Sequence, residues 1–305
     1  MAKKAADLSE PIIKAATDVA NAVSARAMFV YAHAVEDPAV LQAALKPPTK
    51  VVLVCRDEAE TQRAKGASLA ALTVPAFELT RMAQIKMATL IAFSQRLLEA
   101  GDIFVFLSGA AGREIDTLVT MRVGAEYELF QSVGQPKLTE HIRRAVFEKA
   151  LRLALELAYE GREGKPVGAL FVVGDHREVE KYCLPGRINP FRGYTEKERN
   201  ILDDSIDDSI KEIAKMDGAF VVKGNGVIVS ACVTLRPAIA GERLPQGLGA
   251  RHAAAAAITA STKSIAITLS ESTGAVRVWR RGEMITELEK STRSVLDGAP
   301  PQRTA

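Results

Sequence analysis

Between residues 8 and 134 the chain carries four brief apolar runs, at 28–32, 51–55, 72–74 and 103–107, none of which alternates with polar residues. A strand wetted on one face alternates, so unbroken runs of this length fit strands covered on both faces, as in a parallel sheet. Stretches with helical spacing lie between them, at 11–25, 40–45 and 79–100. Strand, helix and strand in regular succession predict an α/β domain over residues 8–134.

Gly134 and Pro136 interrupt this rhythm, and 135–160 reads as a helix linking two parts of the chain. With 305 residues, two domains are the expected division. The second domain, 161–290, opens with a turn-rich loop at 161–168 and a strand at 169–173. An amphipathic helix is predicted over 195–215, where Thr195 and Glu198 have capping-box spacing and Leu202, Ile206, Ile210 and Ile213 share one face. Strands at 219–222 and 227–231 flank Lys-Gly-Asn-Gly, a strong hairpin signal because Asn and Gly accept positive φ. Residues 254–260 are helical by propensity, and 265–270 with 275–280 form another hairpin. The expected class is α/β throughout: an N-terminal parallel-sheet domain, a linker helix, a C-terminal mixed-sheet α/β domain and a frayed tail at 291–305.

Composition narrows the function classes. A net charge of +3 gives no argument for a nucleic-acid partner. Cys55, Cys183 and Cys232 lie far apart without a CxxC pair, which fits free thiols in a reducing compartment. The N-terminus lacks the apolar stretch of a signal peptide, and no run approaches the roughly 18 apolar residues of a membrane span. The expectation is a cytoplasmic protein without a membrane partner.

Several segments could carry chemistry. Asp203, Asp204, Asp207 and Asp208 form a DDxxDD array that reads as a solvated helix face rather than a magnesium site. Ser108 to Gly112 follows a strand and precedes an expected helix, so its amides either cradle an anion or make a turn. Asp175 and His176 at a strand end are either catalytic or a loop aspartate bonded to nearby backbone. Asp217-Gly218 sits where a helix hands over to a strand, and the glycine permits close approach of a ligand to the backbone. Gly247 and Gly249 precede a helix start at which Arg251 and His252 supply positive charge for an anion.

Asp217-Gly218-Ala219 and Gly249-Ala250-Arg251-His252 together resemble the DGA and RHR motifs of the diadenylate cyclase (DAC) domain. The segments 168–175, Leu235-x-Pro237 and 269–274 agree with that pattern, so the resemblance spans roughly 168–282. The first domain resembles the one attached to archaeal-type members of this family, which is similar to the C-terminal domain of pyruvate kinase. One departure stands out: the third RHR position is Ala253, which leaves a weaker enzyme or a compensating basic residue such as Arg236 or Arg277.

The resemblance implies condensation of two ATP molecules into cyclic di-AMP with release of two pyrophosphates. It further implies Mn²⁺ or Mg²⁺ and a homo-oligomer in which two DAC domains face each other. On this reading Asp217 is catalytic and, with Glu271, a metal ligand. ATP would be held by Gly218, Ala219, Leu235, Gly249, Ala250, Arg251, His252, Ala253, Ala254 and Ser270. A nucleotide-binding regulatory module with weakened catalysis is the alternative, and a small-molecule enzyme centred on Ser108 to Gly112 is a third.

Overall fold

The computed structural model describes residues 8–35, 41, 45–109, 114–124, 141–161, 167–185, 189–236 and 249–290. The first sheet comprises β1 (Ala27–Tyr31), β2 (Lys50–Cys55), β3 (Ala70–Thr73), β4 (Ile103–Gly109) and β5 (Ile115–Arg122), in the order β3-β2-β1-β4-β5. β1, β2, β3 and β4 run parallel, whereas β5 returns antiparallel to β4. Both faces are covered, which is why the runs lack alternation. Met28, Val30, Leu53, Val105 and Leu107 pack with Ala16 and Ala20 of α1 (Ser9–Ala22) and Ala64 of α2 (Glu58–Gly66). On the other face Phe29, Tyr31, Val54 and Phe106 meet Ile85, Leu90 and Ile91 of α3 (Arg81–Ser94). Of the helix expected at 40–45, only Leu41 and Leu45 are among the described residues.

The helix expected after Ser108 to Gly112 is not there; β5 follows instead. Its Ile, Thr and Val content favours a strand, and pairing with β4 satisfies its backbone. Ser108 itself is fully buried, with Oγ 3.4 Å from Gln84 Oε1, while 110–112 lie outside the described residues.

The helix read as a linker, α4 (Arg144–Glu160), belongs to the core. Val146, Phe147, Leu151 and Leu155 are buried in one cluster with Phe171, Val173 and Ile267 of the second sheet and Leu90 of the first unit. The two sheets therefore share a contiguous apolar core through α3 and α4. The Thr80 N–H donates to Glu289 O across the same boundary.

The second sheet contains β6 (Ala169–Val173), β7 (Cys183–Pro185), β8 (Ala219–Val222), β9 (Ile228–Leu235), β10 (Ile265–Leu269), β11 (Val276–Arg280) and β12 (Glu283–Leu288), with the short α5 (His176–Glu180) between β6 and β7. Its order is β12-β11-β10-β6-β8-β9-β7, and only β6 and β8 pair in parallel. Both predicted hairpins form. α7 (Ala250–Ser261) covers the face opposite α4, where Ala255, Ala256 and Ile258 meet Leu170, Val172, Val221 and Trp279. Small alanine side chains let the helix lie close to the sheet.

The predicted helix over 195–215 is mostly absent. Thr195 N and Oγ1 both bond to Glu198 Oε2, at 2.8 and 2.7 Å, but only α6 (Asp207–Ala214) is α-helical. Residues before it pair instead with the β8–β9 hairpin: Ile201 N donates to Gly226 O and Ile228 N to Arg199 O. Tertiary hydrogen bonds thus override the local periodicity. The aspartates are not simply a solvated face either. Asp204 and Asp207 both pair with Lys149 and Arg152 of α4, and Asp203 accepts from Ser205 N.

Candidate functional site

Sheet register brings the motif residues to one end of the second sheet. β6 and β8 are parallel with Phe171 opposite Phe220, so Gly168 and Asp217 precede their strands at the same level. β10 runs antiparallel with Leu269 opposite Ala169, which delivers Ser270 and Glu271 to that end. β9 pairs Val233 with Ala219, so Leu235 reaches it as well. α7 begins there with Gly249 as its N-cap, carrying no side-chain cap. The first-turn amides of Ala250 and Arg251 have no carbonyl one turn earlier within the helix, so they offer donors to an anion.

Arg251 gathers the constellation. Its Nη2 donates to Asp217 Oδ1 at 3.2 Å and its Nη1 to Glu271 Oε2 at 3.0 Å. Its Nε is buried without a hydrogen-bond partner among the described residues. The guanidinium packs against Gly168, where a Cβ would stand 2.3 Å from Nη1. Asp217 and Glu271 are themselves largely exposed, their side chains 79% and 66% accessible, so both carboxylates remain available to a ligand.

Gly218 has φ +116°, and a Cβ there would fall 2.5 Å from the carbonyl carbon of Cys232. Only glycine allows β8 to approach the kinked β9, whose Cys232 also has positive φ. Ala219 is buried in β8, while Ala253 and Ala254 are half-buried on the α7 surface that continues from Arg251.

Two expected ligands behave differently. Ser270 is buried and serves its own turn: Oγ lies 3.2 Å from Ser272 Oγ and accepts from Thr273 N. His252 does not supply positive charge. It is buried, and burial first, then the neighbouring Arg277 and Arg251, lowers its pKa from 6.5 to about 4. Its Nε2 is 2.8 Å from Arg277 Nη1, and its Nδ1 is buried without a partner among the described residues.

Arg277 therefore does stand at the base of this helix turn, and it is paired with Glu287 of β12. Arg236 follows β9, its N–H donating to Tyr182 O. Glu287 had no sequence signal, since an isolated acidic residue in a strand is usually a solvated one. The Asp175 carboxylate accepts from Lys263 N at 2.8 Å, which is the structural reading of that turn.

No group of three or more His, Cys, Asp or Glu suited to a metal occurs among the described residues. The two carboxylates at Arg251 nonetheless fit a hard divalent cation. Magnesium-type ions are commonly held by one or two carboxylates, with water and substrate phosphates completing the shell. Among the described residues no helix is long and apolar enough to cross a membrane.

A family model described as DisA bacterial checkpoint controller nucleotide-binding matches residues 156–284, and one described as probable sensor domain DacZ_P matches residues 8–130. A diadenylate cyclase of Haloferax volcanii is 41% identical over 204 residues, covering 65% of this chain and 72% of that protein. A diadenylate cyclase of Methanocaldococcus jannaschii is 36% identical over 183 residues, covering 58% of this chain and 56% of that protein. The cyclic di-AMP synthase CdaA of Bacillus subtilis is 35% identical over 82 residues, 27% of this chain and 29% of its own.

Proposed function

This chain belongs to the diadenylate cyclase family and is an enzyme of that class, and from this premise we propose that it joins two ATP molecules into cyclic di-AMP across two facing DAC domains. The observation that carries the reading is the convergence at the start of α7. Among the described residues the Arg251 guanidinium and the first-turn amides of Ala250 and Arg251 are donors without enough acceptors. A triphosphate supplies those acceptors, and the helix N-terminus favours its charge.

In this account Arg251 and the α7 amides hold phosphate oxygens and orient the α-phosphorus. Gly218, Ala219 and Leu235 line the nucleotide with backbone, Gly218 letting β8 sit close against β9 beside it. Asp217 and Glu271 hold a divalent cation, Mg²⁺ or Mn²⁺, which supplies positive charge to the phosphates when bound. One domain binds one ATP, so each 3′-hydroxyl must reach the α-phosphorus of the nucleotide in the partner copy. Two new O–P bonds form, two bonds to pyrophosphate break, and each hydroxyl proton leaves to an acceptor carboxylate or to water. Catalysis then rests on positioning and charge stabilisation, as is usual in transfers at phosphorus.

Purified protein incubated with ATP and Mg²⁺ or Mn²⁺, resolved by chromatography and mass spectrometry, tests the proposal. The expected result is cyclic di-AMP with two pyrophosphates per product molecule. ATP bound but unconverted in both metals would instead support the regulatory module that Ala253 suggests.

A further inference from the structure

Behind the phosphate-binding turn runs a buried polar chain that the proposed chemistry does not itself require. Arg277 on β11 and Glu287 on β12 face each other across the ladder and form an ion pair. Arg277 is only 9% exposed. Its Nη1 lies 2.8 Å from Nε2 of His252 in the first turn of α7. Guanidinium nitrogen only donates, so Nε2 must be the accepting nitrogen of a neutral imidazole. The ring proton is then on Nδ1, and that atom is buried with no acceptor among the described residues. The Trp279 ring, centred 6.1 Å from the imidazole, is itself fixed by its Nε1–H bond to Thr268 Oγ1 at 2.9 Å.

This arrangement is a poor way to gain stability. An ion pair between buried Arg277 and half-buried Glu287 offsets little beyond its own desolvation, and a cation near a helix N-terminus opposes the helix dipole. The unpartnered Nδ1–H adds a further cost. What the chain does accomplish is geometric. It ties the third residue of α7 to two strands, and Arg251 is the residue immediately before it. Ala253, the next position, offers no cation, so Arg277 is the second guanidinium at this turn.

We infer that Arg277, seated by Glu287, is a positioning residue of the nucleotide site: through His252 it fixes the first turn of α7, and with it Arg251 and the phosphate-binding amides. This rests on the reading of the site as a diadenylate cyclase centre. Arg277 touches no reacting atom, so its effect travels through the histidine.

The test compares the full-length wild type with Arg277→Met, Arg277→Lys and Glu287→Gln. Ring-¹⁵N NMR reports the tautomer of His252, identified among the four histidines by its loss in His252→Gln. The wild type should show the proton on Nδ1, and Arg277→Met should move it to Nε2 or mix the two forms. kcat/KM for ATP should fall at least tenfold in Arg277→Met, less in Arg277→Lys, and at least threefold in Glu287→Gln, the variant that decides if Arg277→Met does not fold. A merely structural role would lower thermal stability without ordering the variants this way or moving the tautomer. Product from the wild type with kcat/KM within twofold in the folded variants, or with an unchanged His252 tautomer, overturns this inference alone. No cyclic di-AMP from the wild type overturns the reading of the site and this inference with it.

Discussion

Replacing Gly168 by alanine separates the site from the fold more cleanly than removing any charged residue. The new Cβ would lie 2.3 Å from Nη1 and 2.7 Å from Cζ of Arg251. Ordinary carbon contacts begin near 3.5 Å, so the guanidinium must withdraw by about 1 Å. Bonds now at 3.0 and 3.2 Å to Glu271 and Asp217 then leave hydrogen-bond range. The fold loses little by this. Gly168 does not have positive φ, so alanine suits its backbone and restricts the unfolded chain by about 0.4–1 kcal/mol. The ion pairs lost have exposed carboxylate partners and contribute roughly 0–1 kcal/mol. Stability should therefore stay within about 1 kcal/mol of wild type. Misplacing a phosphate-binding group by about 1 Å should lower kcat/KM on the order of 100-fold. Denaturant unfolding and cyclic di-AMP formation, measured on the same preparation, read both quantities. Turnover within threefold of wild type in a folded Gly168→Ala protein would show that the placement of Arg251 is not what the site depends on.

Gly218→Ala should behave in the opposite way: positive φ costs about 1–2 kcal/mol and the backbone clash with Cys232 about 1–3 more, so chemical denaturation should show a loss of about 3 kcal/mol. Acid sensitivity follows from His252. The unfolded imidazole takes up a proton near pH 6.5 and the folded one only near pH 4, so its share of stability is complete above pH 6.5 and is lost as pH falls toward 4. The unfolding free energy of the wild type should therefore decline more steeply across that window than that of His252→Gln, and parallel curves would refute the assignment. If two domains must face each other, specific activity should fall on dilution below the dimer dissociation constant, and an activity independent of concentration down to a demonstrated monomer would contradict the shared site.

What could be read from the sequence was the part governed by short-range rules. Unbroken apolar runs located β1, β2, β3 and β4, and Asn-Gly and Thr-Gly turns located both hairpins of the second sheet. The helix over 195–215 failed because its capping contact is real but its backbone finds partners in the β8–β9 hairpin. β5 was missed because a glycine-rich turn after a strand suits a helix and an antiparallel return equally well. Asp217, Gly218, Arg251 and Glu271 were recognisable through the resemblance to family motifs, and the parallel register of β6 and β8 sets Asp217 level with Gly168, on which Arg251 rests. The state of His252 was not legible: its burial and its cationic neighbours are supplied by β11, far along the chain. Gly168 likewise gains meaning only from the side chain that rests on it.

In the proposed mechanism the Asp217 carboxylate serves turnover while Arg251 and the α7 amides hold the nucleotide. The decisive variant is Asp217→Asn, with ATP affinity and cyclic di-AMP formation measured side by side in saturating Mg²⁺ and in Mn²⁺. ATP affinity should stay within about tenfold of wild type, equivalent to about 1.4 kcal/mol, with no detectable product in either metal. Product formation at a rate near that of the wild type would remove Asp217 from the mechanism.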